Sequence, residues 1–242
     1  MSLAELAELA ARSRLPWVSL AGTGVRFAPE VRVAVAPQSR LGPPGWTALV
    51  SIAGEVIATA PDPATADTVQ QALAGLPAAS VTDAGVLASR LNIAKILGPA
   101  TLAYLDAADF RRRDGPPVIL AGPTDLDEFI EAVDPDDRAE SGIEAITSPA
   151  FAVWEDDQVC AAAGYRDWPG RTAHLSVLTG PWARDRGLAR VAASAAVTHA
   201  LAGGLLPQWR ARSGASRHVA LALGFRELGA QATLRLRGDD GG

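Results

Sequence analysis

Arg171-Thr-Ala-His174-Leu-Ser-Val177-Leu178-Thr179-Gly180-Pro-Trp182-Ala-Arg184-Asp185-Arg186-Gly187-Leu188-Ala189, continued by an Ala/Val-rich run to Gly203-Gly204, is the stretch that decides the fold. An apolar run, a Gly/Pro turn and a long helical pattern predict strand, loop and helix in that order. The loop opens the helix, so its consecutive N–H groups lie at a helix N-terminus beside Arg184 and Arg186, and Gly187 leaves room for a ligand against the backbone. This combination suits an anion such as a pyrophosphate.

On either side of this stretch the pattern predicts a set of short elements. Residues 118–121 read as a strand, 125–133 as an acidic-capped helix and 134–143 as a polar helix or turn. Residues 151–154 and 158–165 form a hairpin across Glu155-Asp156-Asp157, and Trp168-Pro-Gly170 turns the chain into the strand ending at Thr179. The helix at 188–201 carries small residues, Ala192, Ala193 and Ala196, that let it lie close to a sheet, and 205–212 is the next strand. Towards the N-terminus, residues 2–12 are an amphipathic helix with Ser2 as cap, 25–35 and 46–59 are strands, 64–76 and 83–97 are helices, and 101–105 is a short strand. This suggests a small α+β module. The charged segment 109–115, with Arg111-Arg112-Arg113, is the expected linker, and the Gly-Asp-Asp-Gly-Gly end is expected to fray.

Residues 184–189 resemble the pyrophosphate-binding motif (Gln/Arg)-x-x-Gly-x-(Gly/Ala) of the GNAT N-acetyltransferase superfamily, through Arg184, Gly187 and Ala189. Ser213-Gly-Ala-Ser216-Arg-His218-Val-Ala220-Leu-Ala-Leu-Gly224-Phe225 is similar to that family's last core helix and its closing Leu-Gly-Phe, before strands at 226–228 and 231–237. The resemblance covers roughly residues 116–237. It implies an α+β fold with a GNAT-like mixed, mostly antiparallel central sheet flanked by helices, preceded by an N-terminal α+β module. The expected domains are 1–112, a degenerate GNAT-like or dimerisation module, 113–238, the acetyltransferase domain, and 239–242, a frayed tail.

The resemblance further implies that the strands at 174–179 and 205–212 run parallel and then splay, opening a gap for acetyl-CoA. Pantetheine and acetyl contacts map to main-chain groups of Val177, Leu178 and Thr179, and pyrophosphate to the amides of Asp185, Arg186, Gly187, Leu188 and Ala189, with Arg184 beside them. Ser213 stands where relatives often have a cofactor-contacting Asn, and Ser216 offers a hydroxyl. Acetyl passes directly to a primary amine, helped by positioning and a backbone oxyanion donor. An amine of pKa about 10 must then lose a proton, and a thiolate of pKa about 8.5 must leave. Ala220 stands where many relatives carry a tyrosine acid. Glu140 and His174 are the candidate bases; Tyr165 is a substitute acid, Trp209 and Trp182 flank the cleft, Cys160 is a core residue, and His199 and His218 lie on helix surfaces. The alternative is a non-catalytic CoA-binding or interaction module on the same scaffold.

Composition bounds these readings. With 48% apolar and 20% charged residues the chain can bury a sizeable core, and a net charge of −5 gives no footprint for nucleic acid. Basic residues are arginine everywhere but Lys95, so an arginine alone is no sign of phosphate chemistry. One cysteine and three histidines form no zinc spacing, and no metal is expected. No signal peptide or membrane span is evident, which predicts a cytoplasmic monomer or homodimer. Gly22-Thr23-Gly24 lacks the third glycine of a dinucleotide loop, and no P-loop is present.

Overall fold

The computed structural model describes residues 2–22 and 24–238. Thr23, of the Gly22-Thr23-Gly24 sequence, and the tail expected at 239–242 lie outside the described residues. The chain divides into two compact units, Met1–Leu102 with Glu227–Gly242, and Ala103–Arg226. The expected boundary lay at 112/113.

In the first unit, helix α1 (Leu3–Ala21) opens on a capping box: the Ser2 hydroxyl accepts from the Glu5 N–H and the Glu5 carboxylate accepts from the Ser2 N–H. The helix outruns the expected 2–12, passing through Pro16, because Trp17 and Ala21 are buried along with Leu9. Strand β1 (Val33–Val35) is all that forms of the expected 25–35 strand. The expected single strand over 46–59 is a hairpin, β2 (Thr47–Ile52) and β3 (Glu55–Ala60). Ala53 (φ 47°) and Gly54 (φ 81°) both take left-handed conformations, the geometry that a two-residue hairpin turn requires.

Helix α2 (Pro63–Leu73) is capped by Asp62, and α3 (Ala84–Arg90) by Asp83. The expected helix over 83–97 stops early. From Ile93 the chain is strand β4 (Ile93–Tyr104), because Ile93 and Ile96 pack against the unit's core of Val69, Leu73 and Leu87. Helical spacing there lost to tertiary burial. The last strand, β10 (Arg226–Leu236), is continuous where two strands were expected. It pairs antiparallel with β2 from Gly229↔Ile52 to Leu234↔Thr47, which explains why the C-terminal segment groups with the first unit.

The second unit has strands β5 (Val118–Ala121), β6 (Ala150–Glu155), β7 (Gln158–Trp168), β8 (Thr172–Thr179) and β9 (Leu206–Ala211). They lie in the order β9-β8-β7-β6-β5, with β5 to β8 antiparallel and β9 parallel to β8. Helices α4 (Pro123–Glu131), α5 (Pro135–Ser141), α6 (Leu188–Ala202) and α7 (Gly214–Ala222) flank them. The mixed, mostly antiparallel sheet flanked by helices is therefore present as expected. Ala192, Ala193, Ala196 and Ala200 of α6 are fully buried in one cluster with Ala161, Ala163 and Ala173 of the sheet. Phe129 and Ile130 of α4 bury a second cluster with Ala152, Ala162 and Leu178. No helix of the described residues is long and apolar enough to cross a membrane.

The segment read as a linker is tied down within this unit. Asp109 takes both guanidinium nitrogens of Arg226 at 2.7 and 2.9 Å, the Arg111 N–H donates to the Leu223 carbonyl, and the Arg113 N–H donates to Ser194 Oγ. The guanidinium holds the Asp109 carboxyl below its ordinary range. Gly224 closes α7 at φ 96°, where a Cβ would sit 2.1 Å from the Asp109 carbonyl oxygen. Gly224→Ala meets both a left-handed backbone and a backbone clash, and is expected to lower stability by at least about 2 kcal/mol in urea denaturation.

Candidate active site

β8 is paired with β7 along its whole length, from Trp168↔Thr172 to Ala161↔Thr179. Its other edge is different. Parallel pairing with β9 covers only Thr172↔Leu206, Ala173↔Pro207 and His174↔Gln208, although β8 continues to Thr179 and β9 to Ala211. The two strands part there, and a cavity of about 640 Å³ opens. Leu175, Val177, Leu178 and Thr179 line it from β8, and Trp209 and Arg210 from β9.

The loop after β8 forms another wall. Pro181–Ala183 makes one 3-10 turn, Asp185 (φ 61°) and Gly187 (φ 77°) are left-handed, and α6 starts at Leu188 with no side-chain cap on its first amides. Arg184, Asp185, Gly187, Leu188 and Ala189 all line the cavity, as do Ser213 and Ser216 of the α7 start and Glu140 of α5. Two expected site residues are not among them. Arg186 instead makes two bonds of 2.7 and 2.5 Å to the Glu155 carboxylate, which the guanidinium holds below its ordinary range. His174 faces Gln208, to which its Nδ1 is hydrogen-bonded, and stacks on Trp168 with ring centroids 4.1 Å apart.

Charge pairs cross the site. Arg184 binds Asp137 at 2.5 Å, and Arg212 pairs with Glu140. Trp209, 4% exposed, lies edge-on to Phe225 and donates its indole N–H to Ser216 Oγ at 2.9 Å. Trp182 is outside the cavity lining and meets Phe129 edge-on at 6.2 Å. Tyr165 is buried, with its hydroxyl 2.9 Å from His199 Nδ1 and its pKa raised by desolvation. Cys160 is buried beside Glu155, and burial pushes its thiol up.

The sequence reading missed Asp137, Arg190, Arg210 and His218, all of which line the cavity. Helical spacing was the available signal for two of them. Asp137 lies three residues before Glu140 on α5, and His218 three after Ala215 on α7, so each shares a face with a lining residue.

Burial pushes the His174 pKa down to about 3, with the Arg210 charge acting in the same direction. The imidazole is therefore expected to stay neutral through pH 5 in an NMR titration; a midpoint near 6.5 would contradict this placement. Since the unfolded chain binds this proton from about pH 6.5 and the folded one only near 3, stability falls as pH drops through that window, and His174→Gln flattens the fall.

Residues 149–232 match the family model described as GNAT acetyltransferase. Among solved structures, a GCN5-related N-acetyltransferase-like protein from Streptococcus suis aligns with a TM-score of 0.51 at 19% identity, over 95% of this chain and 100% of that one. A GNAT-family acetyltransferase structure from Novosphingobium aromaticivorans aligns at TM-score 0.48 and 23% identity over 59% of this chain; the chain spans 65% of that protein, less than two thirds of its length. A Salmonella typhimurium structure containing its cofactor acetyl-CoA aligns at TM-score 0.39 and 19% identity, over 53% of this chain and 98% of that one. A search of curated protein sequences finds no match. The parted strands and the helix that opens at their edge thus lie within residues 149–232, the segment that matches the GNAT acetyltransferase model, in a chain with the GNAT fold.

Proposed function

We propose that this protein is an acetyl-CoA-dependent N-acetyltransferase that moves an acetyl group directly to a primary amine. The observation that carries the reading is the cleft between β8 and β9, which runs to the uncapped start of α6 inside a domain matched by the GNAT model. The site fits the coenzyme in three respects: the cavity volume of about 640 Å³, the left-handed Gly187 that leaves the loop backbone approachable, and an arginine beside the helix N-terminus.

In this reading the amides of 185–189 and Arg184 hold the diphosphate, and main-chain groups of Val177, Leu178 and Thr179 take the pantetheine arm as an added strand would. Ser213 and Ser216 face the arm from α7. The coenzyme supplies an activated acetyl thioester. Glu140 is the cleft carboxylate assigned to accept the amine proton, and its Arg212 partner must yield for it to do so. Ser216 Oγ already accepts the Trp209 N–H, which leaves its own proton to donate to the leaving sulfur as a hydrogen bond. A cytoplasmic location is part of the proposal, in keeping with the single cysteine.

One observation favours a second reading. Ala220, where a tyrosine acid is expected, is 2% exposed and offers no proton, as in a module that binds coenzyme A without turnover. Calorimetry with acetyl-CoA, followed by thiol release across an amine panel, separates the two. Binding with turnover supports the enzyme, binding alone supports the module, and no heat defeats both. Gly187→Glu puts bulk and negative charge at the diphosphate position and is expected to weaken acetyl-CoA binding at least tenfold, about 1.4 kcal/mol. Unchanged affinity in the folded variant contradicts the placement.

A further inference from the structure

Helix α5 is held to its surroundings in an unusual way. It has seven residues and none is buried, so apolar packing does not fix it. Its C-terminal end is anchored: Gly142 caps it in the left-handed conformation, and Ser176 Oγ of β8 donates to the Gly142 carbonyl at 3.1 Å. The body of the helix is held by charge. Asp137 pairs with Arg184 of the loop before α6, and one turn on Glu140 pairs with Arg212, the residue after β9. Both carboxylates line the cavity, so the two pairs tie one short helix to both sides of the opening between β8 and β9.

We propose that Asp137 is an internal anion occupying the arginine that receives the coenzyme diphosphate, and that α5 is a strap released when the coenzyme displaces it. The inference rests on the coenzyme reading above. In the strapped state Arg184 is neutralised by a single carboxylate, with both partners close to half exposed, and such pairs are weak. A diphosphate brings more charge, several acceptor oxygens and the adjoining helix amides, so it outcompetes one aspartate. Losing the Arg184 tie leaves α5 attached by the Glu140–Arg212 pair and the Gly142 end. Coenzyme binding thereby loosens the element that carries the candidate base, while Arg212 still holds the Glu140 carboxylate.

The sign of the expected effect is unusual for a residue inside a binding cleft. Asp137→Asn, which keeps the shape and removes the competing charge, is expected to tighten acetyl-CoA binding roughly two- to fivefold in calorimetry. Asp137→Ala carries the same expectation. Asp136→Asn makes the same change of charge one residue away with no such tie, and is expected to leave the affinity within about 1.5-fold. In hydrogen exchange, amides of 135–141 are expected to exchange faster in wild type once coenzyme A is bound, and to be fast already in the free Asp137→Asn protein. Equal or weaker binding by both Asp137 variants, an equal gain in Asp136→Asn, or slower exchange of 135–141 on binding each overturns the strap while leaving the coenzyme site standing. If wild type itself shows no heat with acetyl-CoA, the coenzyme reading fails and the strap with it.

Discussion

The site depends on one break in a hydrogen-bonded ladder. β8 and β9 share three residue pairs and then separate, while β8 keeps its full antiparallel pairing with β7 on the other side. A strand edge left open inside a domain exposes backbone donors and acceptors, which need water or a ligand as partners. The remaining features of the cleft collect around that gap. Trp209 stands one residue beyond the last pair, and Val177 and Thr179 lie on the unshared edge. The start of α7 closes the far wall with Ser213 and Ser216.

Packing determines where the proposed anion end of the gap falls. The four buried alanines of α6 bring that helix against the sheet, and its N-terminus is consequently carried to the end of β8. The turn between them is short and demands left-handed backbone at Asp185 and Gly187. Glycine meets that demand without strain; aspartate is among the side chains that tolerate it. Two of the charges around the turn are answered by neighbouring carboxylates, Arg184 by Asp137 and Arg186 by Glu155, while the Arg190 guanidinium lies against Gly187 and lines the cavity. Only the first of these pairs faces the cavity.

Much of the second unit was legible in the sequence. The strand, turn and helix from Thr172 onward follow from an apolar run, Gly180-Pro181 and a small-residue helix, and the expected bounds differ from the observed ones by a residue or two. The first unit was less legible, for identifiable reasons. Ala53 gives no turn signal although it sits at φ 47°, so a hairpin read as one strand. Residues 93–97 carry helical spacing, but the burial of Ile93 and Ile96 draws them into β4. Gly229 looked like a break in β10, yet it serves close approach: a Cβ there would lie 1.7 Å from the Ser51 carbonyl oxygen. Which stretches of β8 and of the following loop line the cavity was readable, because motif spacing fixes their positions. Side-chain partners were not, since nothing in the sequence near Arg186 or His174 announces Glu155 or Gln208, which come from other strands.

The central claim is that the amides opening α6 hold a coenzyme's diphosphate, with the pantetheine arm filling the gap beside β8. A crystal structure with coenzyme A tests it most directly. Diphosphate oxygens are expected within hydrogen-bonding distance of the Leu188 and Ala189 N–H groups, with the arm running between β8 and β9. Coenzyme density elsewhere on the protein, or those amides closed off by protein atoms while coenzyme is bound, would contradict it.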